Sequence, residues 1–443
     1  MLITACVENI IKKLRYKYIC MIDVKRIVES KDDVERALSK RMRVEDMHLD
    51  EIISLYKERR EVLSEYEKLR AQQNSFNTKM AGIEKGSEEF KKLISDLKVL
   101  SEKVKELEKR VDELTDKLTS FVEVLPNIPD EDLVAGEKEA NQVIKVVGEK
   151  PVFDFPIKDH VELGESLGLF DLERAVKISG NNFVMYRGWG ARLEWALLNY
   201  FINAHLSDGY EMILPPHIVG ERSGYTAGQL PKFKDDVYWL KELDQFLIPT
   251  AETPLDNLFR DEILNERELP KKYFSYTPCY RKEAGSYRAN EKGLIRVHQF
   301  NKVEMYQYTT QEGSNLAFEE LLGKAEKLVA DLGLHYRVSK LAAGDCSAPA
   351  ARTYDVEVWL PAISQYYEVS SVSNVRDYQA RRGNMRYRKE DGSIEYMHTL
   401  NASGLATSRL MVALVETYQQ RDGSIVVPDV LRKYIGVDKI EKK

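Results

Sequence analysis

No two cysteines in this chain stand close enough to make a CxxC pair; Cys6, Cys20, Cys279 and Cys346 are scattered through 443 residues. That argues against a disulfide framework and a cysteine zinc site, and makes a reducing cytoplasm the expected compartment. No apolar run comes near the roughly 18 residues of a membrane span, so no membrane partner is expected. The first twenty residues mix isoleucine and valine with Lys12, Lys13, Arg15 and Lys17. This is not the charged-then-apolar order of a signal peptide. There is no G-x-G-x-x-G after a strand-like run and no Walker loop, so Rossmann and P-loop folds do not fit. Nor does one sign of charge dominate: 66 Lys and Arg stand against 72 Asp and Glu, a net charge of −6. Any nucleic-acid contact must therefore come from a local patch.

At this length two or three domains are expected. Met21 opens a cleaner segment, which leaves residues 1–20 as an N-terminal extension. Residues 21 to about 47 look like a short helical lead-in, and two heptad runs follow. The first puts Ile52, Arg59, Tyr66, Gln73 and Met80 at one core position and Leu55, Val62, Leu69 and Phe76 at the other. The second runs through Leu93, Leu97, Leu100, Val104, Leu107, Val111, Leu114, Leu118 and Phe121. A sustained 3.5-residue period is the coiled-coil signature. The stretch between them, Ala81-Gly-Ile-Glu-Lys-Gly-Ser, offers Ser87 as an N-cap. Helices joined this tightly fold back as an antiparallel arm on the order of 50 Å long. From Lys68 to Gly82 there is no acidic residue, while Lys68, Arg70 and Lys79 stand among glutamines and asparagines. This is a modest phosphate-contacting patch, or else the solvated face of a spacer or dimerisation coil.

Pro126 and Pro129 end the coil. The domains expected are thus 1–20 extension, 21–125 arm, 126–150 linker and 151–443 a large domain. In the last, helices and short strands mix without a βαβ rhythm, which points to an α+β fold around an antiparallel sheet. A helical run from Ala191 to Leu206 leads to a strand, Tyr210-Glu-Met-Ile-Leu, stopped by Pro215 and Pro216; core packing and an interface both fit it.

Four pieces that carry chemistry follow in order. Thr250 and Glu252, in Phe246-Leu-Ile-Pro-Thr-Ala-Glu, would share a side of an extended backbone. A hairpin from Tyr280 to Glu304 would hold Arg281, Lys282 and Glu283 on one limb. Its returning limb alternates Ile295, Val297 and Gln299 against Arg296, His298 and Phe300. Guanidinium, carboxylate and aromatic face are the parts that grip a nucleoside triphosphate. Then come the strand Tyr354-Asp-Val-Glu-Val-Trp-Leu and the segment Tyr367-Glu-Val-Ser-Ser. Last, Leu400-Asn-Ala-Ser-Gly-Leu-Ala-Thr-Ser-Arg reads as a small-residue turn running into a helix with Arg409.

This ordered set resembles the seryl-tRNA synthetases, class II aminoacyl-tRNA synthetases of the common non-zinc type, from Met21 to the end of the chain. Gly228-Gln-Leu-Pro-Lys-Phe, Gly293-Leu-Ile-Arg-Val-His-Gln-Phe and Thr353-Tyr-Asp-Val-Glu-Val-Trp-Leu are the phrases that carry it, with the N-terminal coiled-coil arm. The Pro215 strand resembles motif 1, the Arg281 hairpin motif 2 and the Arg409 helix motif 3.

The resemblance implies ATP-dependent ligation of L-serine to tRNA(Ser) through seryl-adenylate, with tRNA(Sec) a further candidate acceptor. It also implies a homodimer built through motif 1, and ATP as substrate with Mg²⁺ and no zinc. Arg281 would hold the α-phosphate. Lys282 and Glu283 would stand beside it, with Glu283 accepting from the adenine amino group. Val297 would offer its backbone to the base and Phe300 would stack on it. Arg409 would reach the γ-phosphate end. Glu368 and Ser371 would ligate Mg²⁺, with Val369 and Ser370 lining the site. Thr250, Ala251, Glu252, Glu304, Asn401 and Ser403 would take serine. Lys68, Arg70 and Lys79 would touch tRNA. His298 and Cys346 read as structural.

The chain departs from the family wording at Ala402 and Ser408, where many relatives carry glycine, and in the motif 2 loop, Tyr287-Arg-Ala-Asn-Glu-Lys. A ligase that charges a carrier protein would lack the arm, and a silent paralogue would have lost Arg281, Glu304 or Arg409; neither loss is present.

Overall fold

The computed structural model describes residues 22–80, 82–283 and 292–442. The extension 1–20 and the motif 2 loop at 287–291 therefore lie outside the described residues. The chain divides into two units, Met1–Pro126 and Asn127–Lys443.

In the first unit the heptads form α1 (Leu49–Met80) and α2 (Glu88–Val122). Ser87 caps α2, its Oγ accepting from the Phe90 N–H at 3.1 Å. Pairs between the helices run in opposite order, Glu58 to Arg110 and Glu65 to Lys103, as an antiparallel hairpin requires. At 1.5 Å per residue the longer limb spans about 50 Å. Tyr66, Val104 and Val111 form one apolar layer. Arg59 is a buried exception at a core heptad position. Its Nε donates to Thr115 Oγ1 at 3.0 Å, and Thr115 donates to the Val111 carbonyl at 2.6 Å. A satisfied polar layer of this kind fixes the register of two helices. Toward the tip Leu93, Leu97 and Leu100 are only half-buried, while Lys68 and Lys79 are exposed.

The second unit is built on an eight-stranded sheet. Its strands are β1 (Gln142–Val147), β2 (Glu211–Met212), β3 (Lys271–Tyr280), β4 (Gln299–Thr309), β5 (Tyr336–Lys340), β6 (Arg352–Leu360), β7 (Gln365–Arg376) and β8 (His398–Ala406). Their spatial order is β1-β5-β6-β7-β8-β4-β3-β2. All neighbours are antiparallel except the edge pair β2 and β3. Helices α3 (Gly188–Ser207), α4 (Ser314–Asp331) and α5 (Thr407–Thr417) pack on it through a core that includes Leu197, Phe201, Met305, Phe318 and Leu414. The fold is the α+β architecture expected. Among the described residues no helix is long and apolar enough to cross a membrane.

Three local readings change. The stretch 126–150, expected as linker, supplies edge strand β1, and Asn127 is buried with its Nδ2 on the carbonyls of Pro349 and Val375 at 2.7 and 2.8 Å. The returning limb of the hairpin is strand only from Gln299; before it, Leu294, Ile295 and Val297 are buried in turns. Alternation there reflects anchoring to the core, not a ladder. The small-residue segment Leu400–Ala406 is no turn but strand β8, because it is zipped between β4 and β7.

Candidate active site

Strand β4 carries Phe300, Lys302 and Glu304 at every second position, so one face presents all three. Glu304 is fully buried. Its carboxylate meets Lys302 Nζ at 2.5 Å, Asn401 Nδ2 at 3.1 Å and Ser403 Oγ at 3.5 Å. The last two come from β8, with Ser403 paired directly opposite Glu304. Lys302 Nζ also donates to Thr250 Oγ1 at 2.8 Å.

Thr250, Ala251 and Glu252 lie beside this trio, but not on a strand. Pro249 precedes a tight turn in which the Glu252 N–H donates to Thr250 Oγ1 at 3.3 Å, and a short helix starts at Glu252. The turn, not a period of two, brings Thr250 and Glu252 to one side. Glu252 accepts from Gln379 Nε2 at 2.7 Å. Burial, then the charge of Glu304, raises its carboxyl to about 7.

Arg281 follows the end of β3. Its N–H donates to the His298 carbonyl at 2.9 Å, its Nε to the Pro249 carbonyl at 3.2 Å, and its guanidinium carbon stands 5.3 Å from the Phe300 ring centre. Glu283, at φ 51°, pairs with Arg296 at 2.5 Å. Lys282 is exposed and extends toward the Tyr238 ring, at 5.9 Å, apart from this group. His298 Nδ1 sits 3.0 Å from the Arg281 carbonyl, a hairpin-packing position.

On β7, Glu368 and Ser371 are three residues apart and would face opposite ways on a regular strand. A bulge corrects this. Ser371 pairs with Asp355, Ser370 with Val356, and Glu368 with Glu357, leaving Val369 as the extra residue. Glu368 and Ser371 thereby share a side with Asp355, while Ser370 turns away to donate to the Ser403 carbonyl at 2.6 Å. Arg409, in the first turn of α5, is pinned by its Nε on the Ile295 carbonyl at 3.1 Å and Nη1 on the Glu368 carbonyl at 3.0 Å.

These groups line three adjoining cavities. One of about 360 Å³ is bordered by Thr250, Glu252, Arg281 and Glu283. The middle one, about 90 Å³, lies among Arg281, Glu283, Val297, Phe300, Lys302, Ser403 and Arg409. The third, about 340 Å³, is bordered by Asp355, Glu368, Ser371 and Arg409. Shared walls at Arg281 and Glu283, then at Glu368 and Arg409, make them one cleft. The patch of Lys68, Arg70 and Lys79 belongs to the other unit.

Three residues escaped the sequence reading. Lys302 sits between Phe300 and Glu304 on the same strand face, and the period of two could have flagged it. Asp355 stands opposite Ser371 with a buried Oδ1 that has no partner; burial and the nearby Glu368 charge push its carboxyl well above the usual range. Gln379 has no local signal at all.

An antiparallel sheet flanked by helices, with one arginine beyond a strand end and one in the first turn of a helix lining a common cleft, defines a class II aminoacyl-tRNA synthetase catalytic domain. Residues 238–418 match the model of the tRNA synthetase class II core domain (G, H, P, S and T), and residues 21–129 that of the seryl-tRNA synthetase N-terminal domain. The chain is 55% identical over 427 residues to serine–tRNA ligase 2 of Clostridium acetobutylicum, covering 95% of this chain and 100% of that one. The solved seryl-tRNA synthetase of Pyrococcus horikoshii, complexed with ATP, superposes with a TM-score of 0.87 at 34% identity, over 95% of this chain and 100% of the other. The cytoplasmic serine–tRNA ligase of Naegleria fowleri, in complex with AMP, gives 0.81 at 27% identity, over 94% and 96%. The chain belongs to the seryl-tRNA synthetase family.

Proposed function

We infer that the chain ligates L-serine to tRNA(Ser) at the expense of ATP. The serine carboxylate attacks the α-phosphorus and expels pyrophosphate, and a ribose hydroxyl of the terminal tRNA adenosine then takes the seryl group from the adenylate, releasing AMP. No protein nucleophile is needed, because positioning and charge stabilisation carry phosphoryl chemistry of this kind. The observation that carries the reading is the buried Glu304 carboxylate, ringed by Lys302, Asn401 and Ser403 and adjoining the Arg281–Phe300 wall.

In this reading Glu304 takes the serine ammonium, and Thr250, Glu252, Asn401 and Ser403 close around the hydroxyl, with buried Ala251 behind. A site built to bond a hydroxyl rejects an analogue lacking it by roughly 10⁴–10⁵. Arg281 forks onto the α-phosphate, Phe300 and the Val297 backbone hold adenine with Glu283 at its amino group, and Arg409 meets the γ-phosphate end. Lys282, exposed and turned toward Tyr238, stands outside this group.

The donors of the third cavity suit Mg²⁺. Glu368 and Ser371 offer hard oxygens, and the unpartnered Asp355 oxygen beside them adds a third. Among the described residues no three His, Cys, Asp or Glu side chains are grouped to hold a metal; phosphate oxygens would complete the sphere, as is usual for Mg²⁺. The ion would neutralise phosphate charge.

The arm residues Lys68, Arg70 and Lys79 are read as phosphate contacts to tRNA. A homodimer through motif 1 is supported by Trp195 on α3 and Leu214 after β2, which are 55% and 73% exposed. Cytoplasmic tRNA charging goes with this reading.

The test is serine-dependent exchange between pyrophosphate and ATP, with threonine, alanine and cysteine as controls. Exchange with serine far above the others is expected; no exchange with any amino acid would sink the reading.

A further inference from the structure

Behind Glu252 lies a chain of buried polar groups that touches none of the cavities directly. Gln379 is fully buried, and all four of its hydrogen-bonding valences are filled. Its Oε1 accepts from Tyr306 Oη at 2.9 Å and Thr399 Oγ1 at 2.7 Å. Its Nε2 donates to Glu252 Oε1 at 2.7 Å and the Ala227 carbonyl at 3.1 Å. A flipped amide would set Oε1 against the Ala227 carbonyl, which has no hydrogen to share, and against the ionised form of Glu252. Only one orientation is therefore allowed.

The chain extends one step further. Tyr306 Oη also lies 2.5 Å from Asp256 Oδ1, but it has one hydrogen, and Gln379 requires it. Asp256 must then be the donor to the Tyr306 oxygen, as a neutral acid. It is fully buried and its Oδ2 has no partner, a tolerable setting for a carbonyl oxygen and a costly one for a carboxylate. Burial accordingly pushes its carboxyl well above the usual range.

We infer that Gln379 is a positioning residue for serine selection: donors running from Asp256 through Tyr306 to Gln379 lock Glu252 in place as a hydrogen-bond acceptor for the amino-acid hydroxyl. This rests on Glu252 belonging to the serine site as proposed above. The effect is directional, since each group donates toward the cleft.

Pyrophosphate exchange on the full chain tests it, with KM measured separately for serine and ATP. Gln379→Leu leaves a buried Glu252 oxygen without its donor, so KM for serine should rise roughly tenfold to a hundredfold, while KM for ATP stays within about twofold. Tyr306→Phe leaves Gln379 Oε1 with Thr399 as its remaining donor, which loosens the amide, and should raise KM for serine by a smaller factor, roughly threefold to tenfold. It also serves as the second probe should Gln379→Leu not fold. Asp256→Asn keeps a donor toward Tyr306 and should leave both constants within about twofold. If Glu252→Ala raises KM for serine but neither Gln379→Leu nor Tyr306→Phe does, the inference fails and the serine site stands. If Glu252→Ala leaves it unchanged, the placement of Glu252 fails first. Equal rises in both constants for Gln379→Leu would reveal general damage and overturn a positioning role. An Asp256→Asn effect as large as that of Gln379→Leu would overturn the donor direction.

Discussion

Lys302→Met should be among the most damaging single changes to the fold of the catalytic unit, although Lys302 is not among the residues that the family resemblance assigned to serine or ATP. Lys302 is 6% exposed, and its ammonium sits 2.5 Å from Glu304, which is wholly buried, and 2.8 Å from Thr250 Oγ1. With the cation gone, Glu304 would keep Asn401 at 3.1 Å and a long contact to Ser403 at 3.5 Å. Neither neutralises its charge. Stranding one member of a buried ion pair costs about 3–5 kcal/mol. At roughly 2–4 °C per kcal/mol, a figure for somewhat smaller domains, that is a fall in Tm on the order of 10 °C. Circular dichroism melting reads it. Glu304→Gln in the same background should restore most of the loss, because the stranded charge is then gone and the two changes are coupled. Serine added to Lys302→Met should raise Tm more than it does for the unaltered chain, since its ammonium supplies the missing cation. A Tm within 2 °C of the unaltered chain (roughly 1 kcal/mol or less), or strict additivity in the double variant, would refute the buried-pair reading.

Other perturbations separate the parts of the molecule. Arg281→Ala should lower exchange by roughly 10²–10³, the usual loss for one preorganised donor at developing charge, with Tm little changed; retained exchange would remove Arg281 from the phosphate site. Deleting residues 48–122 should leave adenylate formation intact while tRNA charging collapses, and equal loss of both in parallel exchange and charging assays would count against the arm as a tRNA contact. Glu194 on α3 is 4% exposed, and burial raises its carboxyl from the usual 4.5 to about 7. Between those values the native state holds a proton that the unfolded chain has released, so this group's contribution to stability falls as pH rises from about 4.5 to about 7, by at most about 3 kcal/mol. Denaturant titrations of Glu194→Gln should lack that slope relative to the unaltered chain; identical slopes would refute it.

What could be read from the sequence was what repeats. Heptads at Leu93 through Phe121 fixed the helix pair because the same spacing recurs over five turns and more, and the Ser87 cap is a local rule that the structure repeats. The order of Thr250, Arg281, Glu304, Glu368 and Arg409 could be matched as a string, and the structure gathers Thr250, Arg281, Glu368 and Arg409 along one cleft, with Glu304 against its Lys302 and Ser403 walls. What could not be read depends on partners far along the chain. Asn401 and Ser403 looked like turn residues because glycine, alanine and serine are poor strand formers in isolation. They are strand because β4 and β7 supply ladders on both sides. The bulge at Val369 left no compositional mark, yet without it Glu368 and Ser371 would face opposite sides. Gln379 is about 130 residues from the carboxylate it holds, a separation across which no sequence period speaks.

The cleft's position in the sheet explains why so many of its polar groups have only one another. β4, β7 and β8 are interior strands of the sheet, and Glu304, Ser370 and Thr399 on them are fully buried. A polar side chain there is stable only if its hydrogen bonds are complete. Ser370 therefore goes to the Ser403 carbonyl, Thr399 to Gln379, and Glu304 to Lys302 and Asn401. Satisfying the fold has the same effect as preorganising the site: the dipoles and charges are already aimed before a substrate arrives, and little has to reorient as charge moves at the reacting phosphorus. The groups free to adjust lie at the rim, where Lys282 is exposed and Glu368 is paired with Arg409 at 3.4 Å but still 43% open. A substitution in the buried set should thus damage stability and catalysis together, whereas one at the rim should alter catalysis alone.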